Sequence, residues 1–307
     1  MATLDPILLD LAASQLGMLT TSQAMRAGMD KASLTRSVRD KVLLHPFHAM
    51  YAVPSLVDRS SPAAWHRHLA QGARLLYPDL VLTGVTAVLA HGLDVWGCDL
   101  ARPAILRPIA RSTGVRGIRV RPLRGDAVDT SWGPALSPAQ ALVQLALDHG
   151  IEPGVVSADH ALRRGLCTAT DLEAALALVD RWPGAHKPRS MTSLTCARRE
   201  SVGESRCGVA MAMAGIRAVP QVEVRDERGV LVARVDWRVE GTTVVVEFDG
   251  KVKFADGDPA TLWAEKKRED RLRALGYTVV RITWADLERP GAVAAKIRAG
   301  LDAATAA

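Results

Sequence analysis

The chain has little of what would assign it to a class by composition alone. Its four cysteines form no CxxC pair and its eight histidines are scattered, so we expect neither a disulfide framework nor a zinc site. No apolar stretch reaches the ~18 residues that a membrane-spanning helix needs. The first residues carry Asp5 and Asp10 in place of the basic segment that opens a signal peptide. We therefore expect a cytoplasmic protein without a membrane partner.

Acidic residues are absent between Leu100 and Gly125, although this segment carries seven arginines. Arginine presents a planar fork of donors that matches a phosphate group, and the net charge of +6 also favours an acidic partner such as nucleic acid. Within the segment, RGIRVRPL alternates like a β-strand and holds Arg116, Arg119 and Arg121. We predict that these three arginines contact nucleic acid, with a solvated basic surface as the alternative interpretation.

The first 60 residues have the pattern of short helices followed by a β-hairpin. DPILLDLAASQLG and TTSQAMRAGM have helical spacing, with Thr20 or Thr21 as the N-cap of the second helix, and Gly28 suits the turn that follows. DKASLTRSVRDKVL predicts a further helix, and LLHPFHAMYAV alternates like a short wing. The pattern predicts a winged-helix DNA-binding domain; a small helical packing domain is the alternative. The basic side chains expected to contact DNA are Lys31, Arg36, Arg39 and Lys41.

Residues 61–182 form a mixed α/β middle region with no catalytic constellation. Helices are predicted for SPAAWHRHLAQGARLL, TGVTAVLAHGL and SPAQALVQLALDHG, because a Ser-Pro start suits the N-cap and the first helical position. Further helices are predicted for about residues 153–164 and 168–180, whereas DLARPAILRP has the composition of a loop. RWPGAHKPRS holds two prolines and a glycine and is the best domain boundary. A third domain is therefore expected over residues 195–307.

The third predicted domain has the order helix, three strands, helix, strand. SVGESRCGVAMAMAG and TLWAEKKREDRLRALG have helical spacing, whereas VPQVEVRD, GVLVARVDWRV, TTVVVEFD and YTVVRITW have strand patterns. Glu240 and Gly241 suit a two-residue hairpin loop. That register pairs Asp236 with Val245 and makes Asp236 a diagonal neighbour of Glu247 on one face of the sheet.

Carboxylates gather where the most apolar of these strands ends. Glu247 and Asp249 close that strand, and Asp236 shares their face in the predicted register. Carboxylate oxygens are hard ligands that suit Mg²⁺ or Mn²⁺, and Lys251, just past the strand, is placed to orient a water molecule or to stabilise charge on a phosphate. We predict a metal-dependent phosphodiesterase site here. The alternative is a solvated strand end in which Asp236 pairs with an arginine two residues away on its own strand.

These residues resemble the PD-(D/E)XK nuclease superfamily, in the uncharacterised branch similar to the very-short-patch-repair endonuclease. The resemblance covers about residues 200–287. It rests on Asp236, the run Glu247-Phe248-Asp249-Gly250, Arg268, Gly276 and VVRITW. It implies an αβββαβ restriction-endonuclease-like domain in which Asp236 and Glu247 bind the metal and Arg268 contacts the phosphate backbone.

The same resemblance implies supporting polar roles for Gln221 on the first strand and Glu204 on the first helix. Glu204 has a second interpretation, because Ser201-x-x-Glu204 fits a helix capping box. The chain departs from the superfamily pattern at Asp249, which stands where the lysine of the motif is expected. Lys251 comes two residues later, on the same side of an extended strand.

The run LTTSQAMRAGMDKASLTRSVRDKVLLHPFHAMYAV resembles the winged-helix domain of AbiEi-type antitoxins over about 60 residues. This resemblance implies a bacterial transcriptional autorepressor with a cognate toxin. The combined expectation is an α/β multidomain DNA-binding protein whose last domain is a Mg²⁺-dependent endodeoxyribonuclease, acting in a toxin–antitoxin system or in phage defence. The alternative is a non-catalytic antitoxin and autorepressor, in which the nuclease fold serves for binding or for forming a homodimer.

Overall fold

The computed structural model describes residues 4–115, 117–250 and 259–306. Over these ranges the chain has a mixed α/β fold with helices and three β-sheets. Within the same ranges, no helix combines the length and the apolar composition that crossing a bilayer requires.

The chain divides into two compact units. The first comprises Met1–Ser157 and Cys167–Pro188, and the second comprises Ala158–Leu166 and Arg189–Ala307. The separate winged-helix and middle domains, with boundaries near residues 60 and 182, remain predictions from the sequence.

Helices form mainly where helical spacing follows a capping residue or a proline. In chain order they are α1 (Pro6–Ser14), α2 (Thr21–Arg26), α3 (Lys31–Arg39), α4 (Pro62–Leu76), α5 (Gly84–Ala90), α6 (Pro138–His149), α7 (Ile151–Arg163), α8 (Ala169–Ala177), α9 (His186–Leu194), α10 (Val202–Met213), α11 (Pro259–Ala274), α12 (Trp284–Leu287) and α13 (Ala292–Ala306). A short 3₁₀ helix spans Pro54–Leu56. Helix α9 begins inside RWPGAHKPRS, the segment that predicted a domain boundary.

The strands form one sheet of three, one of six and one of four, with the orders β1-β3-β2, β6-β7-β5-β4-β9-β8 and β10-β11-β12-β13. In chain order they are β1 (Met18–Thr20), β2 (Leu44–Phe47), β3 (Met50–Ala52), β4 (Val81–Leu82), β5 (Ala104–Arg107), β6 (Thr113–Val115), β7 (Ile118–Pro122), β8 (Ala127–Thr130), β9 (Gly133–Leu136), β10 (Ala218–Arg225), β11 (Leu231–Val239), β12 (Val244–Asp249) and β13 (Thr278–Thr283).

The first 60 residues contain the three predicted helices and the predicted β2–β3 hairpin, together with β1. The Thr20 side chain accepts the N–H of Gln23 at 3.1 Å, and that of Asp30 accepts the N–H of Ser33 at 2.7 Å. At the start of α2 and of α3, the side chain of the third helical residue also accepts the N–H of the N-cap residue. Each helix start therefore satisfies two backbone N–H groups that have no partner within the helix. Strand β1 was not predicted; it pairs with β3 and packs Leu19 into a core shared with α1 and α3.

Strand β5 corrects the loop predicted for DLARPAILRP. It lies inside the six-stranded sheet, between β7 and β4, and Ala104, Ile105 and Leu106 are buried. A strand that is buried on both faces has a short continuous apolar run instead of an alternating pattern. Flanking arginines and prolines concealed this run of three residues.

The four-stranded sheet has the predicted order, with β10, β11 and β12 antiparallel and β13 parallel to β12. The hairpin register is corrected: Trp237 pairs with Val246 and Arg238 with Val245, two residues away from the predicted pairing. The two-residue loop was wrong, because β12 begins only at Val244. A shift of two residues keeps each side chain on the same face of an ideal ladder. The pairing ends at Trp237 and Val246, and Asp236 and Glu247 are the next residue on each strand.

Candidate metal and nucleic-acid site

The candidate site lies at the carboxyl end of β12. Val244 and Val246 pack against α10 and α13, and Val245 packs against Leu272 of α11. Glu247 follows them and is only 9% exposed. The apolar run therefore makes β12 a central strand, and it carries a carboxylate into a position where an unpaired charge would be costly.

Asp236, on β11, lies beside this strand end. Its Oδ2 accepts the backbone N–H of Phe248 at 2.7 Å, so a side chain takes over where the β11–β12 ladder stops. The pKa of Asp236 is raised to about 6, first by burial and then by the charges of Glu204 and Glu247, while the Phe248 N–H and Arg268 oppose the rise. The carboxylates are thus closer together than their charges alone favour.

The alternative pairing predicted for Asp236 was with an arginine of its own strand. The two candidates were Arg234 and Arg238, and within the described residues neither pairs with Asp236. Arg234 instead forms an ion pair with Glu200, with Nη2 and Oε2 2.9 Å apart. Asp236 therefore belongs to the strand-end cluster by its hydrogen bond to Phe248.

Two arginines approach Glu247. Nη1 of Arg268, on α11, lies 2.8 Å from Oε1, and Nη2 donates to Oε2 at 3.2 Å. Nη2 of Arg281 lies 4.0 Å from Oε2 of Glu247 and donates to Glu269 at 2.9 Å. Arg268, predicted from the sequence as a phosphate contact, is therefore a partner of the buried carboxylate.

Of the two remaining predicted site residues on this segment, the structure describes Asp249 but not Lys251. Oδ2 of Asp249 lies 3.8 Å from Nη1 of Arg281, whereas Lys251 lies outside the described residues. Across the described parts of the chain, no three His, Cys, Asp or Glu side chains are arranged to hold a metal ion. Arginine cations, not a closed ring of acidic ligands, balance these carboxylates here.

Glu204 caps the start of α10, but its carboxylate accepts the N–H of the residue before the N-cap, which differs from the predicted capping box. Its N–H donates to Oγ of the N-cap Ser201 at 3.1 Å, and its Oε2 accepts the N–H of Glu200 at 2.9 Å. The same Oε2 accepts Nε2 of Gln221 at 3.0 Å. Glu204 therefore closes the start of α10 and also joins that helix to β10 beside Asp236.

Gln221 has a backbone conformation that its side chain makes unfavourable. Its φ is +54°, inside a β-strand, whereas its neighbours Pro220 and Val222 pair normally with Trp237 and Val235. Positive φ costs a residue with a Cβ about 1–2 kcal/mol. Such strain persists where the surroundings hold the residue, and it is common at functional sites. Here the hydrogen bond to Glu204 holds the side chain.

Sequence reasoning missed Arg281 and Glu269 as members of the cluster. Arg281 stands opposite Glu247 in the parallel β12–β13 ladder, and its charge interrupts the apolar strand TVVRIT. A single cation in a strand that lies beside a carboxylate-bearing strand was the available signal. No signal in the sequence indicated Glu269, because its i,i+4 ion pair with Arg273, at 2.5 Å, is typical of an ordinary exposed helix.

The basic residues predicted on the first unit fall into two groups. Lys31, Arg36, Arg39 and Lys41 are all exposed, on α3 or just after it. Arg39 pairs with the adjacent Asp40, with Nε and Oδ1 3.1 Å apart. Exposed pairs of this kind contribute little to stability, so this surface stays available to an anion.

The positive charges of Arg119 and Arg121 are balanced by a carboxylate that is distant in the sequence. Both pair with Asp148 of α6, at 3.2 and 2.5 Å, and Arg107 pairs with Asp79 at 2.9 Å. The acid-free segment is therefore not free of acids in three dimensions, because folding brings them from elsewhere in the chain. Arg116 lies outside the described residues.

The comparisons with known proteins give relatives but no activity. No family model matches the chain. Two uncharacterized proteins of Mycobacterium tuberculosis, from strains CDC 1551 and H37Rv, are each 28% identical to it over 199 residues, which is 61% of this chain and 72% of each relative. Their names state neither a substrate nor a partner.

Proposed function

We propose that the second unit carries a metal-dependent phosphodiesterase of the PD-(D/E)XK type that cleaves DNA. The observation that supports this most is Asp236, whose pKa is raised to about 6 by burial and by its carboxylate neighbours. Titratable groups perturbed in this way by burial and like charge are typical of functional sites. The order α10, β10, β11, β12, α11, β13 is also the αβββαβ order that the superfamily resemblance implies.

The carboxylates at this strand end are of the ligand type that a hard divalent cation prefers. Binding would require Glu247 and Asp249 to leave their arginine partners, since among the described residues these carboxylates are not already arranged around a metal position. Asp236, Glu247 and Asp249 supply carboxylate oxygens, which suit Mg²⁺ or Mn²⁺, and would hold the metal. When bound, such a cation lowers the pKa of a coordinated water and offsets charge on the phosphate. The acidic neighbours of Asp236 disfavour its charged form until a cation offsets them.

The chain's own residues have definite tasks in this proposal. Asp236 holds its proton below about pH 6 and must release it to act as a ligand. Glu247 must give up its ion pair with Arg268 before it can act as a metal ligand. The guanidinium of Arg268 is then free to bind a phosphate oxygen. Gln221 and Glu204 fix the position of β10 against α10 behind Asp236, and Lys251 is proposed to assist attack by water.

For the first 60 residues we infer DNA binding by a winged helix of the AbiEi antitoxin type. Three helices and a β-hairpin are present, and the last of the helices, α3, exposes Lys31, Arg36 and Arg39. A helix with several exposed cations suits the phosphate backbone and the major groove. On this proposal the winged helix positions the nuclease, in a toxin–antitoxin system or in phage defence.

A second candidate function is a non-catalytic autorepressor with the same winged helix. It is favoured by the ion pairs of Glu247 with Arg268 and of Asp249 with Arg281, together with the aspartate at position 249, where the motif's lysine is expected. In that case the nuclease fold binds a partner, such as a cognate toxin, or a second copy of the chain.

Cleavage of supercoiled plasmid by the full chain in Mg²⁺ or Mn²⁺ distinguishes the two candidates. We expect nicking by the wild type and loss of at least ~100-fold in rate for Asp236→Asn and Glu247→Gln, since each removes a charged metal ligand. Glu240→Gln, at the exposed far end of the same hairpin, is the matched control and should nick normally. Equal rates for all four proteins, or no metal-dependent nicking at all, would support the autorepressor.

DNA binding is tested separately from cleavage. The triple variant Lys31→Gln, Arg36→Gln, Arg39→Gln should bind duplex DNA at least ~10-fold more weakly and show a shallower dependence on salt, because each phosphate contact contributes to the salt slope. Arg67→Gln, on the exposed side of α4, is the control and should bind as the wild type does. Unchanged binding by the triple variant would remove α3 as the DNA contact.

A further inference from the structure

Helix α11 exposes a tryptophan side chain on the same element that carries Arg268. Trp263 is 59% exposed, and no other tryptophan, tyrosine or phenylalanine that the structure describes is as exposed. A single exposed apolar side chain is ordinary on a protein surface. What surrounds Trp263 therefore decides whether this ring has a ligand.

The exposed face of α11 around Trp263 is cationic. Nζ of Lys267, one turn further along the helix, lies 5.4 Å from the centroid of the Trp263 ring. Lys266 and Arg271 are also exposed, and no ion pair joins any of these three cations to a described residue. Among the described side chains of this face, Asp270 is the one exposed carboxylate. The excess of positive charge favours an anionic ligand.

This face lies next to the side of α11 that reaches the candidate site. Arg268 points inward, with Nη1 2.8 Å from Oε1 of Glu247. Since an α-helix has 3.6 residues per turn, Trp263, Lys267 and Arg271 form one row along the helix surface. Lys267 and Arg271 lie within ~5 Å of Arg268 along the helix axis, at 1.5 Å per residue. A ligand on this row therefore extends to the strand-end carboxylates.

An aromatic ring in a row with cations suits a nucleic acid strand whose bases are unpaired. Each base has a flat face that stacks on an aromatic side chain, and cations beside the ring follow the phosphates. The bases of a duplex stack on one another and offer only their edges in the grooves. An exposed indole therefore gains more from a single strand than from an intact duplex.

We propose that α11 binds a single-stranded segment of the DNA substrate, with one base stacked on Trp263 and phosphates paired with Lys267 and Arg271. This inference rests on the proposed function, because it assigns the form of the substrate to the same unit. The base takes the place of the Lys267 ammonium over the ring, and the ammonium moves to a phosphate. A ring that only stabilised α11 through its i,i+4 contact with Lys267 would leave DNA binding unchanged when replaced.

Fluorescence anisotropy on the full chain in EDTA tests the stacking without cleavage. The probes are a labelled oligothymidylate of about 15 nucleotides, near the upper size of one such site, and a hairpin duplex of the same length. Trp263→Leu keeps an apolar side chain but removes the ring, and it should weaken binding of the single strand at least ~5-fold. Binding of the duplex should not change. Trp263→Phe keeps an aromatic face and should bind the single strand more tightly than the leucine variant does.

The cations of the row are tested by the salt dependence. The double variant Lys267→Gln, Arg271→Gln should bind the single strand more weakly and lower the slope of log affinity against log salt by about 1.4, at ~0.7 per phosphate contact. Trp263→Leu should leave this slope unchanged, because stacking releases no counterions. Met213→Ala, at a 71% exposed position of α10, is the matched control and should bind both probes as the wild type does.

Two results would overturn the inference. One is binding of the single strand by Trp263→Leu as tightly as by the wild type, with the same urea midpoint for both proteins. The other is an equal loss of affinity for the single strand and the duplex. Because these measurements need no cleavage, metal-dependent nicking together with either result would reject the inference alone. Ring-dependent binding by a chain that does not nick would instead reject the phosphodiesterase and retain the single-strand contact.

Discussion

At the scale of single residues, Asp236 combines three physical effects. Burial disfavours its charge, Glu204 and Glu247 repel it, and the Phe248 N–H and Arg268 partly offset both. A chain that needed only a strand end would gain stability from a neutral residue there. A cation bound as proposed above would offset this repulsion.

The raised pKa of Asp236 predicts how stability depends on pH. Because the pKa is about 6 in the folded chain and ~3.9 in an unfolded one, the folded state binds the proton more tightly. The stabilisation is present below about pH 4 and is lost as pH rises to about 6. Urea unfolding in EDTA should find Asp236→Asn close to the wild type at pH 4 and more stable by ~1–2 kcal/mol at pH 7, since partial solvation reduces the full effect. A constant difference across this range would contradict the assignment.

The positive φ of Gln221 predicts that glycine is more stabilising than alanine at this position, which is the reverse of the usual order within a strand. Gln221→Gly and Gln221→Ala both lose the hydrogen bond to Glu204, but only glycine relieves the strained backbone. The glycine variant should therefore be the more stable of the two, by ~1 kcal/mol. At Glu223, an exposed position two residues along the same strand, glycine should be less stable than alanine. Urea unfolding of the four variants measures both differences, and the same order at both positions would contradict the strain.

At the scale of elements, Gly203 lets α10 pack closely against the end of β12. A Cβ at Gly203 would overlap the Phe248 ring, and that ring also meets Trp284 edge-on, with centroids 5.1 Å apart. Gly203→Ala should therefore destabilise the chain by ~1–3 kcal/mol, although alanine is the better helix former. In thermal or urea unfolding, the double variant Gly203→Ala, Phe248→Ala should lose less than the two single variants together. Simple additivity would mean that these residues do not compete for space.

The elements also show why sequence reasoning reached only part of the site. The run Val244–Val246 predicted a central strand correctly, and alternation brought Asp236 and Glu247 together even though the hairpin loop was assigned two residues too short. Strand β5 and the short strands β1, β4, β6, β8 and β9 were missed, because two to four residues are too few to set a period. Ion pairs such as Arg119–Asp148 and Glu247–Arg281 join distant segments, and local pattern carries no information about them.

At the scale of the whole molecule, helix α7 contributes to the second unit, which begins again at Arg189. Asp159 of α7 is 1% exposed and pairs with the buried Arg199 at 3.0 Å, and its Oδ1 accepts the N–H of Cys196 at 2.6 Å. Arg163 donates to the carbonyl of Arg199 at 2.9 Å. Without α7, a buried guanidinium would lose its carboxylate.

This dependence predicts how fragments behave. A fragment of residues 158–307 should unfold cooperatively, whereas a fragment of residues 189–307 should be less stable by ~3–5 kcal/mol, the cost of breaking a buried ion pair on one side. Urea unfolding followed by circular dichroism measures both midpoints. Equal midpoints would show that segment 158–166 is not needed by the second unit.

We propose above all that the carboxylates at the end of β12 bind a catalytic metal. A crystal of the full chain soaked in Mn²⁺, measured for anomalous scattering, tests this most directly. We predict a peak bound by Asp236 and Glu247, with the Arg268 guanidinium moved away from Glu247. A crystal with no peak at these carboxylates, and with Arg268 still paired to Glu247, would contradict the account.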